Sequence, residues 1–95
     1  MITKVVATKG IIETGNKTPM FFSFVRDSMD RFFAGDYGEM CEEDLLENTR
    51  ANLLGERVVA MYYTELTPEK KIYIIADAED DAGDRVVTIM FPSEY

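Results

Sequence analysis

RVVAMYYTELTPEKKIYIIA, residues 57–76, is the stretch that decides how this chain folds. Its two ends, Arg57 to Thr64 and Lys71 to Ala76, are rich in β-branched and aromatic residues, which suit the pleated, half-buried surface of a strand. Between them, Glu65 to Lys70 contains Thr67-Pro68 and has the length of a hairpin connection. The spacing predicts an antiparallel pair. Downstream, Ala82-Gly83 marks a turn and Val86 to Phe91 supplies a further strand, so the C-terminal half reads as a three-stranded antiparallel meander.

Upstream of this meander the pattern changes to helix. Glu42, Glu43 and Asp44 cluster where the positive end of a helix dipole favours anions, and Gly55 follows as a stop. This predicts a helix from about Cys41 or Glu42 to Leu54, with Leu45, Leu46, Thr49 and Leu53 facing inward. Before it, Thr18-Pro19 is a start signal, a hydroxyl N-cap followed by proline at the first helical position. Phe22, Val25, Met29 and Phe32 then recur at spacings of three and four, and Gly35 suits a left-handed C-terminal cap. Taken alone, Met20 to Val25 also fits a buried strand. Ile2 to Thr8 reads as a short first strand, and Lys9 to Lys17, with Gly10 and Gly15-Asn16, as turn and irregular connection. The expected fold is α+β, a single domain over 1–95 in β-α-α-β-β-β order, its antiparallel sheet packed on one face by two helices.

Composition agrees with one folded unit. The chain has 95 residues, too few for two independent cores, and 46% of them are hydrophobic, enough to build one. Its single cysteine, Cys41, cannot form an internal disulfide, and Met1 to Lys4 runs into the first strand without an apolar signal region, so the reducing cytoplasm is its expected place. No apolar run reaches the roughly 18 residues a membrane span needs. Ten basic against eighteen acidic residues give a net charge of -8, which repels nucleic-acid phosphates and anionic membranes. Neither is an expected partner. Lys4, Lys9, Lys17, Lys70, Lys71 and Arg85 are scattered and read as solvated charges.

The chain contains no histidine, the commonest general base and the commonest zinc ligand. Cys41 stands among Glu39, Glu42, Glu43 and Asp44, with no neighbouring cation to activate a thiol, so it reads as packed or capping. The acids gather in two base-free runs, Asp36 to Glu47 and Asp77 to Asp84. The second invites comparison with a calcium loop, but glycine belongs at the sixth position and glutamate at the twelfth, where Ala82 and Thr88 stand. No catalytic residue, metal site or cofactor is expected.

Several segments carry a family resemblance. Ser28-Met29-Asp30-Arg31-Phe32, Gly35-Asp36-Tyr37-Gly38, Glu42-Glu43-Asp44, Tyr73-Ile74-Ile75 and the closing Phe91-Pro92-Ser93-Glu94-Tyr95 follow one another in a recognisable order. In them the chain resembles an uncharacterised family of small bacterial proteins carried on plasmids and conjugative or phage-like elements. Tyr37 stands where that family usually has tryptophan, and the Asp77 to Arg85 loop replaces a shorter Thr-Glu-x-Asp-Arg-Ser turn. The resemblance implies a genomic setting rather than an activity, and restriction-subunit labels within the family do not suit so short a chain.

These observations lead to a small acidic accessory protein of a mobile element, a non-enzymatic module that binds a protein partner as a monomer or weak dimer. Its candidate docking residues are Asp36, Tyr37, Glu42, Glu43, Asp44 and Glu47, although the first reading of Asp36 and Tyr37 is a helix-terminating turn with the ring on the core. Two other readings stand beside it. One is an acidic mimic of a nucleic-acid backbone that blocks a host DNA-binding or defence protein. The other is a small carboxylate- or metal-dependent hydrolase.

Overall fold

The 57–76 stretch folds as its pattern predicts, and the rest of the sheet grows from it. In the computed structural model, which describes all 95 residues, strand β1 (Thr3–Ala7) is followed by helices α1 (Lys9–Lys17), α2 (Pro19–Phe33) and α3 (Glu42–Leu53). Strands β2 (Val58–Tyr63), β3 (Lys71–Ala76) and β4 (Arg85–Met90) come next, then a short 3-10 turn, Pro92–Glu94. The sheet order is β1-β4-β3-β2. β2, β3 and β4 form the expected antiparallel meander, but β1 lies parallel to β4, so the sheet is mixed. The long helical connection carries the chain from β1, beside β4, to β2 at the far edge, a parallel relation that hairpins cannot make.

Register assigns the two faces. Val58, Ala60 and Tyr62 pair with Ala76, Ile74 and Ile72, and all six are buried. Val87 and Ile89 continue this surface across β4, and Phe21, Val25, Phe32 and Ala51 pack down onto it from the helices. Phe21 stacks on Phe91 with ring centroids 5.6 Å apart, which draws the last residues into the same core.

Four local expectations give way to packing. Lys9 to Lys17 is a helix, not an irregular connection: Ile11 is 1% exposed, and Gly15 is a close-approach residue, because a Cβ there would overlap the Phe22 ring. Tertiary packing here overrides weak local propensity. The Thr18 hydroxyl makes no cap; Thr18 is the joint between α1 and α2, held out of helical geometry at φ -132° by the proline after it. The buried stripe of α2 is Phe21, Val25, Ser28 and Phe32, so Phe22 turns toward α1 instead of the sheet. In α3 it is Asn48 and Ala51 that are buried, with Leu45 partly so, while Leu46, Thr49 and Leu53 face outward.

The N-terminus of α1 is held by the other end of the chain. The Glu94 carboxylate accepts from the Thr8 hydroxyl at 2.6 Å, the Phe91 amide at 3.0 Å and the Gly10 amide at 3.1 Å. A carboxylate at a helix N-terminus satisfies free N–H groups and complements the dipole. Arg85 is likewise no solvated charge: its guanidinium donates to the carbonyls of Asp77 and Glu56 and to Asn52, fastening β4 to the end of α3.

Two glycines separate strain from crowding. Gly35 and Gly38 both have positive φ, 85° and 87°, but Gly35 has open space around a Cβ whereas at Gly38 a Cβ would overlap the Met61 carbonyl oxygen. Gly35→Ala should therefore cost about 1 kcal/mol of conformational strain, and Gly38→Ala about 2–4 kcal/mol once the clash with β2 is added. Urea unfolding of the two variants checks the difference, which would vanish if the backbone at Gly38 could move away from β2.

Candidate partner-docking surfaces

The corner that joins α2 to α3 is built around one arginine. Arg31 donates from Nε to Asp36 at 2.7 Å and from Nη1 to Glu39 at 3.3 Å, and its guanidinium lies 5.0 Å from the centre of the Tyr62 ring. Asp36 also accepts from the Gly38 amide at 3.0 Å, and its carbonyl accepts from the Tyr62 hydroxyl at 2.7 Å. The Arg31 guanidinium, then the Gly38 amide, hold the Asp36 carboxyl below its usual range. Burial pushes the Tyr62 phenol up.

Tyr37 is in the core, 4% exposed and edge-on to Phe32, so it is removed from the candidate docking residues. The ring is too well buried for a partner to reach. Asp36, though exposed, is committed to Arg31 and Gly38 and acts as the turn's internal anchor. Glu39 completes the corner, bonding Arg31 with one oxygen and the Tyr63 amide with the other.

Glu42, Glu43, Asp44 and Glu47 are all exposed on α3, as a docking role requires. Arg50 donates to Glu47 and Glu56, holding the Glu47 carboxyl below its usual range, whereas Glu42, Glu43 and Asp44 enter no ion pair. The same segment holds apolar side chains that the acidic pattern concealed, Leu46 next to the acids and Leu53 and Leu54 at the far end: they are 64%, 80% and 61% exposed. Leu46 and Leu53, seven residues apart, lie on one side of the helix. Cys41, at the N-cap position, is exposed and makes no side-chain cap, neither the packed nor the capping role its surroundings suggest.

The second acidic run is a folded turn. Asp80 Oδ1 accepts from the amides of Ala82 and Asp84, both at 2.9 Å, and Asp84 accepts from the Ile2 amide at 2.6 Å. This run meets α3 at its C-terminal end, where the Glu79 amide donates to the Gly55 carbonyl. The free carboxylates of Glu42 to Asp44 are at the other end of the helix, roughly 15 Å away at 1.5 Å per residue. The surface cavities that hold carboxylates draw them from the second run alone.

A different surface carries aromatic and sulfur side chains. On the sheet face away from the helices, Val59, Met61 and Tyr73 line a groove of about 440 Å³ together with Met40, Pro92 and Tyr95. Tyr95 is edge-on to Tyr73 and its hydroxyl accepts from Arg57 at 2.9 Å, yet 68% of it is exposed. No sequence signal singled out this face, because each strand contributes only alternate residues to it. Comparison with known protein families, with curated proteins and with solved structures finds no match.

Asp36 and Glu94 both bind protons less readily in the fold than outside it. For Glu94 burial opposes ionisation, but the Thr8, Phe91 and Gly10 donors outweigh it. A lowered carboxyl pKa gives stability that is present above the unfolded value, near 4, and is lost as pH falls through the folded value. The urea midpoint should thus drop between about pH 5 and pH 3. Asp36→Asn with Glu94→Gln should lower it at pH 7, by about 1 kcal/mol per site given their solvent exposure, and flatten the acid decline. An acid limb as steep in the double variant as in the parent would assign it to other carboxylates.

Proposed function

We propose that this chain is a non-enzymatic protein-binding module, an accessory of a mobile element, that docks its partner through the outer side of α3. One observation carries the reading: Leu46 and Leu53 on α3 and Leu54 at its C-cap are each more than 60% exposed, on a helix whose free carboxylates are Glu42, Glu43 and Asp44. Water-exposed leucine is unfavourable by about 25 cal/mol for each Å² left uncovered, and a helix presenting apolar anchors at this spacing suits a hydrophobic groove. The flanking acids select a groove with a basic rim, since they speed encounter and penalise acidic competitors. The resemblance to mobile-element proteins supports the setting.

Nucleic-acid mimicry draws less support. A phosphate mimic needs free, regularly spaced charges, whereas Asp36, Glu39 and Glu47 are paired with arginine and Asp80 and Asp84 bond backbone amides. Leucines between the carboxylates have no counterpart in a phosphate backbone.

The test is a partner isolated with the intact chain and titrated against variants. Leu46→Ser with Leu53→Ser should weaken binding at least about 100-fold, as for loss of central anchors, and leave the melting temperature unchanged, because both side chains are already in water. Replacing Glu42, Glu43 and Asp44 by glutamine should slow association and remove most of its salt dependence. Affinity indifferent to the leucines, or a turnover activity lost in Asp36→Asn, would overturn the reading. Competition by duplex DNA would favour mimicry.

A further inference from the structure

We propose that the sheet face turned away from the helices is the interface of a two-fold homodimer, a surface separate from α3. Alternation along the registered strands sends Val59, Met61 and Tyr63 of β2 to this face, opposite Ile75, Tyr73 and Lys71 of β3. Thr88 and Met90 of β4 follow, opposite Ile75 and Tyr73, and Val86 and Thr88 face Lys4 and Val6 of β1. Helices cover only the other face. An antiparallel meander with one wet face carries polar residues there; this one carries half-buried valine, methionine and tyrosine over Ile75, which is 3% exposed.

The relief of the face suits a copy of itself. Tyr95 forms a ridge pinned by Tyr73 and Arg57. On one side is the groove of about 440 Å³ described above, and on the other a second groove of about 260 Å³ that includes Ile75, Thr88 and Met90. A ridge flanked by grooves is self-complementary under a two-fold axis, because the ridge of each copy can enter a groove of the other. Methionines line both grooves, and their flexible thioethers adapt to an incoming ring. Tyrosine, methionine and arginine are the residues that interface cores favour.

Area and charge both select a second copy as the occupant. Four strands about 4.8 Å apart and five or six residues long make a face roughly 20 Å square, so two such faces together cover about 800 Å² of flat area, close to the lower bound of about 1,000 Å² for a specific interface and suited to a weak dimer. A single docked helix would cover about half of its width. The chain as a whole carries a charge of -8, so two copies repel unless they meet where acids are few. This face has Lys4, Lys71 and Arg57 at its margins against Asp77, Asp80 and Asp84, which line the cavity beside Lys4 and Val86, so its charges balance while the chain as a whole is acidic. Pairing through it turns the carboxylates of α3 outward, and the shortest dimension of one molecule, 22 Å, already exceeds the Debye length of about 8 Å at physiological salt.

Sedimentation equilibrium of the intact chain, from micromolar upward, is the direct test, with an expected dissociation constant of roughly 10–100 µM. Met61→Glu, placing a carboxylate in the larger groove of each copy, should weaken the dimer at least about tenfold. Tyr95→Ala, at an exposed side chain, provides a second variant should Met61→Glu fail to fold, and should also weaken it. Isotope-filtered spectra of mixed labelled and unlabelled chain should give intermolecular contacts between the Tyr95 ring and methionine methyls. A chain that stays monomeric to about 1 mM overturns the proposal. So does a dimer that survives both variants, or one whose new amide protection falls on β1 and marks edge-to-edge pairing.

Discussion

The outer edge of β2 is the constraint on which the rest of this structure depends. A strand at the rim of a sheet presents unpaired amides and carbonyls, each a site for unwanted pairing and a desolvation cost if covered without a partner. Here the chain covers the edge with itself. The Asn48 side chain donates to the Val59 carbonyl at 2.8 Å and accepts from the Val59 amide at 3.4 Å, so one amide group stands in for a neighbouring strand. Next along the edge, Met61 donates to the Tyr37 carbonyl and accepts from the Glu39 amide. Glu39 then turns its carboxylate onto the Tyr63 amide. The outward-facing amides of Val59, Met61 and Tyr63 and the carbonyls of Val59 and Met61 are thereby engaged by residues between α2 and the middle of α3.

That coverage explains the local geometry around it. The segment from Asp36 to Glu39 must run close beside β2, which is why Gly38 can carry no Cβ and why Asp36 is tied by Arg31 instead of left in solvent. Asn48 must reach the strand edge, so α3 settles on β2 with Ala51 inward and its leucines outward. The leucine exposure that supports a docking role thus follows from the orientation that edge protection imposes. At the opposite end of the sheet no side chain plays this part for β1, and the Glu94 clasp on α1 instead joins the chain's two ends.

The molecule therefore has two unlike surfaces. The helical side is acidic, with its charge partly neutralised by Arg31 and Arg50 and its apolar anchors confined to α3. The open sheet is apolar at its centre and carries balanced charge at its margins. The two surfaces share no residues, so the proposed self-association and the proposed partner binding would not compete.

Residue pattern alone determined the α+β class, the meander, the limits of α2 and α3 to within a residue or two, and the left-handed glycine after α2, because β-branched runs, caps and helical periodicity act over a few neighbouring residues. It also marked Glu42, Glu43, Asp44 and Glu47 as exposed charge. Tertiary structure decided what depends on contacts between distant segments. α1 forms because Ile11 finds the core and Glu94 caps its start, and Gly15, locally a turn residue, serves the approach of Phe22. The polar Asn48 is buried and the apolar Leu46 and Leu53 are exposed, reversing the usual order, because satisfying the edge of β2 outweighs burying a leucine on the same helix. The parallel seat of β1 and the open apolar face have the same origin: strand partners, and which side of a sheet is covered, are chosen by segments far apart in the chain.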